Sequence, residues 1–410
     1  MTLNLEWYRK FLVVFSVAIF FTSVCDFTEK YGINALTWIM VMGVLTAPVL
    51  VQAMFEARYR WQPLLVWGFG YLMISVVWYY PATQTASDFR QIRLRFLSVI
   101  FLFLMLFLFN RPRDVLLARK AVAFGVLFGV SLNVYELFHP MTFSTVPGRS
   151  SGLYPNVNQT GCALMLGMIL SKDIVPKRWR VPYCVLAGVG ILTTFSRAAI
   201  LGWIVVMGYG AVRSGVSIRK ISQALIALGV VFAFFTSSYW QNVSLELEQR
   251  GTLNVDVMQR LQFFSQGNTQ DASANERRAL ATYALHLFEQ KPLFGWGTGT
   301  DRELDGFSLG THNIYLALMV DHGIAGLLIM PWLYVAIIWG CRRKVFDVAM
   351  PYVLFLILWG FFSHNVLEER FTLLTVALTG SMVLQARRSA EPEPAGEAAR
   401  LAPQAIGAFA

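Results

Sequence analysis

The side chains in this chain best suited to chemistry are one histidine and a set of arginines. His312 follows a glycine-rich stretch (Gly295, Gly297, Gly299, Gly306, Gly310) and precedes Asn313 and Tyr315. An imidazole titrates near neutrality, so it can take a proton from a hydroxyl at ordinary pH; the plainer reading is a polar residue at a helix start. Arg197 closes Thr193-Thr-Phe-Ser-Arg197 between two very apolar segments. Arg277 and Arg278 open an amphipathic stretch. Arg149 precedes a turn running to Asn156 and Asn158, and Arg90, Arg93 and Arg95 precede another apolar run. The planar fork of arginine grips phosphate oxygens two at a time. The bland alternative for each is a snorkelling or solvated charge. His322 and His364 read as hydrogen-bonded buried histidines. Asp301, Glu303 and Asp305 read as a solvated acidic run. With no Asp-x-Asp, no His-Glu-x-x-His and no cysteine pair, neither a metal nor a cofactor is expected.

These groups need a scaffold, and the composition says what kind. Of 410 residues 56% are hydrophobic and only 14% charged, well below the roughly 25% charged share of an ordinary soluble domain. Apolar runs of about 18–20 residues, the length that crosses a bilayer, recur from residue 11 to residue 386. They lack the period-2 alternation of a membrane barrel. The expectation is an all-α integral membrane protein of about twelve transmembrane helices, near 9–26, 33–55, 63–80, 94–110, 115–138, 157–172, 181–196, 198–213, 220–240, 312–340, 348–366 and 371–386. The run after Arg9 and Lys10 has no small-x-small cleavage site, so it reads as a retained first span. The four cysteines, Cys25, Cys162, Cys184 and Cys341, lie in or beside apolar runs and read as packing residues.

The formal net charge is +10, yet the basic residues are scattered at the ends of apolar runs, which argues against a nucleic-acid partner. With the N-terminus inside, 21 of the 34 lysines and arginines fall in the inner loops, as the positive-inside rule requires. Both termini are then cytoplasmic. Residues 1–240 hold nine spans, 241–311 form one large periplasmic loop, 312–388 hold three more spans, and 389–410 form a disordered tail. Within the loop, Ala279, Leu280, Tyr283, Ala284, Leu287 and Phe288 recur at helical spacing, which predicts an interfacial helix over 274–290 ended by Pro292.

Four local patterns, in this order, resemble the superfamily of O-antigen ligases, O-antigen polymerases and protein O-oligosaccharyltransferases. They are Arg149-x-x-Gly152 continuing to Asn156-x-Asn158; Phe195-Ser196-Arg197; Glu276-Arg277 followed by Tyr283-Ala284 and Pro292-Leu-Phe-Gly295-x-Gly297; and His312-Asn313-x-Tyr315 followed by Asp321-x-Gly323-x-x-Gly326. The family pattern usually has glutamate where this chain has Asp321. The resemblance implies a bacterial inner-membrane glycosyltransferase of GT-C-like type with its site facing the periplasm. Its donor would be an undecaprenyl-pyrophosphate-linked glycan and its acceptor lipid A–core, without cofactor. His312 would be the base. Arg197, Arg277, Arg149 and Arg278 would bind pyrophosphate, with Asn156, Asn158, Asn313, Tyr315, Arg90 and Arg93 in support. Ligase is preferred over polymerase and protein glycosylation. A lipid or polysaccharide transporter is the remote alternative, because its polar residues should lie at mid-membrane.

Overall fold

A computed structural model describes residues 5–55, 62–146, 148–213, 246, 272–303 and 310–389. The expected span at 220–240, most of the large loop, the tail, Asp305 and Gly306 lie outside the described residues. All regular structure among the described residues is helical.

The chain opens with α1 (Leu5–Ser16), a π-helical turn at Val17–Phe21 and a short α2 (Val24–Phe27) that runs on into a 3-10 turn, Thr28–Tyr31. The two halves meet at 58°. The bend falls at Ser23, whose φ of 60° lies in the left-handed region. The helices α3 (Ala35–Phe55), α4 (Pro63–Tyr79), α5 (Ala86–Leu108), α6 (Pro112–Phe138), α7 (Val157–Ser171), α8 (Arg180–Leu192) and α9 (Arg197–Arg213) follow. Helix α5 begins well before the expected 94 because Thr85 and Asp88 form a reciprocal capping box that draws the polar turn Ala86–Arg93 into the helix. Prolines at the first helical position set the starts of α4 and α6.

After the undescribed segment come α10 (Ala272–Gln290), α11 (Ile314–His322), α12 (Ile324–Ile338), α13 (Arg343–Gly360) and α14 (Arg370–Arg388). Helix α10 confirms the helix expected at 274–290. Leu280 and Ala284 are buried along its inner face, whereas Ala279 is exposed. The single span expected at 312–340 is corrected: it is two helices, broken at Gly323, where φ is +61°. A Cβ on Gly323 would fall 2.6 Å from the backbone of Pro292 and Leu293, so the break exists to let another strand of chain pass.

By length and hydropathy, α3, α5 and α6 can each cross a bilayer, as can the bent pair 5–21 and 24–31 taken as one; α4, α7 and α12 are shorter apolar helices. Large apolar side chains face outward along them, including Phe69 and Met73 on α4, Phe96 and Ile100 on α5 and Phe124 on α6. Water would not tolerate so wide an apolar exterior, whereas lipid does. The protein is therefore a membrane protein, all-helical among the described residues, and the number of its crossings is not fixed by these helices.

Two helices run through the middle. Every residue of α7 from Thr160 to Ser171 is buried, and so is every residue of α14 from Phe371 to Val383. Small residues let neighbours approach α7 closely: a Cβ on Gly167 would sit 2.5 Å from the Phe21 ring, and one on Gly161 2.7 Å from Ala199. Helix α14 hides its hydroxyls by bonding them to its own backbone, Thr375 to Phe371 O (2.9 Å) and Thr379 to Thr375 O (2.7 Å).

Candidate functional site

A strap of irregular backbone, residues 292–301, threads between the end of α4 and the break between α11 and α12. Many of its amides are bonded to the neighbouring backbone. Trp296 N–H donates to Val320 O (2.9 Å), Gly297 N–H to Asp321 O (2.9 Å) and Thr298 N–H to Trp78 O (3.0 Å), while Ile324 N–H donates back to Pro292 O (2.8 Å). The glycines are needed for this fit. Gly297 has φ +108°, and a Cβ there would strike the Ala82 backbone at 2.5 Å. The other described glycines of the stretch, Gly295, Gly299 and Gly310, are likewise packed closely against neighbouring backbone and side chains.

Beneath the strap lies a buried charged network. Arg95, 4% exposed, projects from α5 and donates from Nη2 to Asp321 Oδ2 (2.5 Å). Its Nη1 donates to His322 Nε2 (2.8 Å) and to Ser75 Oγ (3.3 Å). Because arginine can only donate, His322 Nε2 is the acceptor. The Asp321 carboxylate also accepts the N–H groups of Gly299 (3.1 Å) and Asp301 (3.1 Å). So Asp321, whose role the sequence left open, holds the strap. Arg90 and Arg93, singled out from sequence, are exposed, and the buried arginine of that run is Arg95.

Beside this network the chain re-enters the bundle at His312. The half-buried imidazole meets His364 edge to face, ring centroids 5.2 Å apart. Burial lowers the His312 pKa from its ordinary value of 6.5, Arg277 and Arg302 lower it further, and Glu276 works against them. The shift favours the neutral imidazole, the form that accepts a proton. Arg277, half-buried on α10, is thus within electrostatic reach of His312, whereas its neighbour Arg278 is exposed. Asn313 caps α11, accepting from the N–H groups of Tyr315 (3.0 Å) and Leu316 (3.3 Å). The Tyr315 hydroxyl is tied to Tyr334 (2.6 Å) and Ile357 O (2.9 Å), so both residues brace the helix.

Asp301 corrects the solvated acidic run. It is 2% exposed, and burial together with the Asp321 charge pushes its pKa up to about 7, against the pull of Arg302 and Thr311. His364, between α13 and α14, is driven down to about 2 by burial, with Arg302 and His312 adding to it. Arg302 bridges Glu368 (2.8 Å) and Asn365 (2.7 Å). A small cavity opens among Tyr71, Gln91, Arg95, Asp301, His364 and Glu368. Sequence reading named Arg95 only as one of its run and Asp301 only as a solvated carboxylate, and it missed Arg302. A signal existed for the first: Asp88, Gln91, Arg95 and Ser98 fall at helical spacing and make one buried polar stripe on α5.

The remaining arginines gather elsewhere. Arg149 is buried; its Nε donates to Thr194 O (2.9 Å) and its Nη2 to Asn158 Oδ1 (3.2 Å). Ser150 N–H donates to Thr193 O (3.1 Å). Asn156 caps α7 by accepting from Asn158 N–H (2.8 Å). These bonds tie the Arg149 turn to the Thr193–Arg197 turn, where Phe195 holds a φ of 49° and Arg197 opens α9 half-buried. Glu136 of α6 anchors the same turn, accepting from Phe143, Ser144, Ser151 and Gly152 N–H groups. The structure thus forms two groups of candidate residues, one around Arg149, Asn158 and Arg197, the other around His312, Arg277 and Arg302. Among the described residues, no three His, Cys, Asp or Glu side chains cluster as metal ligands.

A helical membrane protein with ionisable side chains buried around a broken helix belongs to the class in which such groups mark a site. Residues 182–330 match the family model for O-antigen ligase. The match takes in Arg197, Arg277, Arg278, Asp301, His312 and Asp321. No curated protein matches the sequence significantly.

Proposed function

We propose that the protein is an O-antigen ligase, a GT-C-like glycosyltransferase of the bacterial inner membrane. It transfers a glycan from undecaprenyl pyrophosphate to a sugar hydroxyl of lipid A–core on the periplasmic face, without a metal. The observation that carries this reading is the pairing of a neutral, half-buried imidazole with arginines in the matched family segment. His312 takes the proton of the acceptor hydroxyl as that oxygen attacks the anomeric carbon. The pyrophosphate gains negative charge as its bond to the sugar breaks, and fixed guanidinium groups, Arg277 and Arg197 first, then Arg149 and Arg278, stabilise it. Direct attack on an α-linked sugar inverts it to β. Both termini are cytoplasmic in this reading.

The test uses purified protein with a lipid-linked glycan and two acceptors, lipid A–core and a second lipid-linked glycan. Transfer to lipid A–core is expected, and His312→Gln should lower it by about 10²–10⁴-fold while donor binding persists. Elongation of the lipid-linked glycan alone would make the protein a polymerase. Near-wild-type turnover in His312→Gln would remove histidine from the role of base.

A further inference from the structure

Asp301 stands between the buried Arg95–Asp321 pair and His312. The turn that carries it hangs from Asp321, through the N–H groups of Gly299 (3.1 Å) and Asp301 (3.1 Å). Its own carboxylate reaches forward. Oδ1 accepts the N–H of Thr311 at 3.4 Å, long for such a bond but formed by the residue directly before His312. Oδ2 lies against Gly310, where a Cβ would come within 2.8 Å of it, while the same Cβ would be 3.5 Å from His364 Nε2. On the other side, Thr311 Oγ1 donates to Asn313 O (3.0 Å), and Asn313 caps α11. His312 sits between these two anchors with φ +52°, a left-handed backbone that a residue with a side chain adopts only when its surroundings hold it there.

We infer that Asp301 is a positioning residue: by gripping the Thr311 amide it fixes the left-handed backbone of His312 and so the direction in which the imidazole faces. The inference rests on reading His312 as the base. A carboxyl group keeps an acceptor oxygen in either protonation state, and so does an asparagine amide. The grip therefore depends on an acceptor at this point and not on a charge.

The experiment compares Asp301→Ala and Asp301→Asn in the full-length membrane protein. The first measurement does not involve activity: the rate of diethyl pyrocarbonate modification at each histidine, resolved by peptide mass spectrometry. His139 and His286, both exposed, serve as internal standards, and the fully buried His322 reports on the fold. Asp301→Ala should raise the His312 rate several-fold and leave His322 protected, while Asp301→Asn stays within about twofold of wild type. The second measurement is glycan transfer, where Asp301→Ala should lose about 10²-fold in kcat, the scale of a small misplacement of a catalytic group, and Asp301→Asn should recover most of it. Unchanged His312 reactivity in Asp301→Ala overturns the inference, as does Asp301→Asn behaving like Asp301→Ala in both measurements. Exposure of His322 in Asp301→Ala also overturns it, since Asp301 would then support the core and not the turn. If the modification pattern is as expected but His312→Gln transfers normally, the base assignment fails and the positioning stands.

Discussion

Replacing Asp321 with leucine removes the acceptor for three donors at once: Arg95 Nη2 at 2.5 Å and the N–H groups of Gly299 and Asp301, each at 3.1 Å. Both charged side chains are under 5% exposed, so solvent screens the loss little. Stranding one partner of a buried pair costs about 3–5 kcal/mol. Each buried amide left without an acceptor adds about 1–3 kcal/mol. The combined loss, roughly 5–11 kcal/mol, is as large as the whole stability of a typical domain. The single variant should therefore fail to accumulate, or lose its thermal transition in detergent. Arg95→Met with Asp321→Leu removes both charges and leaves the two stranded amides and the unpaired His322 Nε2, so about 3–9 kcal/mol of loss remains. The pair should be visibly more stable than the single variant. The assay is the rate of thermal inactivation at fixed temperature, followed by tryptophan fluorescence, across the four corners of a double-mutant cycle. A double variant that loses the sum of the two single losses would mean that Arg95 and Asp321 do not support one another, and the account of the strap would fall.

Two further outcomes are expected. With His312 as the proposed base, whose environment holds its pKa below 6.5, the rate of transfer should fall on the acid side along a limb below that pH; Arg277→Ala should move the limb to higher pH and Glu276→Gln to lower pH, and a limb that ignores both variants would overturn the assignment of His312 as base. Arg149→Lys keeps a charge but cannot reach Thr194 O and Asn158 Oδ1 together, so transfer should drop about 10–100-fold with faster proteolysis in the 142–156 turn; an unaltered digestion pattern would show that the turn does not need the fork.

Much of the scaffold is legible in the residues, because a bilayer imposes one length and one polarity on whatever crosses it. The helices at 35–55, 63–79, 157–171 and 197–213 lie within two residues of their expected limits. Pattern alone cannot find the break at Gly323, since the run from Ile314 to Ile338 is apolar on both sides of it. The cause is tertiary: the Pro292–Leu293 backbone passes where a straight helix would put side chains. The candidate site divides in the same way. His312 and Arg277 are recognisable from local pattern, and they come together. Asp301 looks like one of three acidic residues in a hydrophilic loop, and nothing local says that it is buried beneath a strap. Arg90, Arg93 and Arg95 are equivalent as a list, and only the phase of α5 separates the buried one from the exposed two.

That phase explains why the network sits where it does. Helix α5 brings Asp88, Gln91 and Arg95 inward on successive turns, and the first two each meet a segment that is not regular helix. Asp88 accepts from Thr83 Oγ1 (2.7 Å) in the α4–α5 link, and Gln91 donates to Glu368 (2.5 Å) in the α13–α14 link. Arg95 reaches the end of α11. Irregular backbone at membrane depth survives only where protein, not lipid, satisfies its amides. A buried carboxylate such as Asp321 does so for the strap, but only if a cation neutralises it, and Arg95 is that cation. The charged cluster and the broken helix are thus one requirement seen twice. The strap needs Asp321, Asp321 needs Arg95, and the turn that the strap holds in place through Asp301 is the one that presents His312.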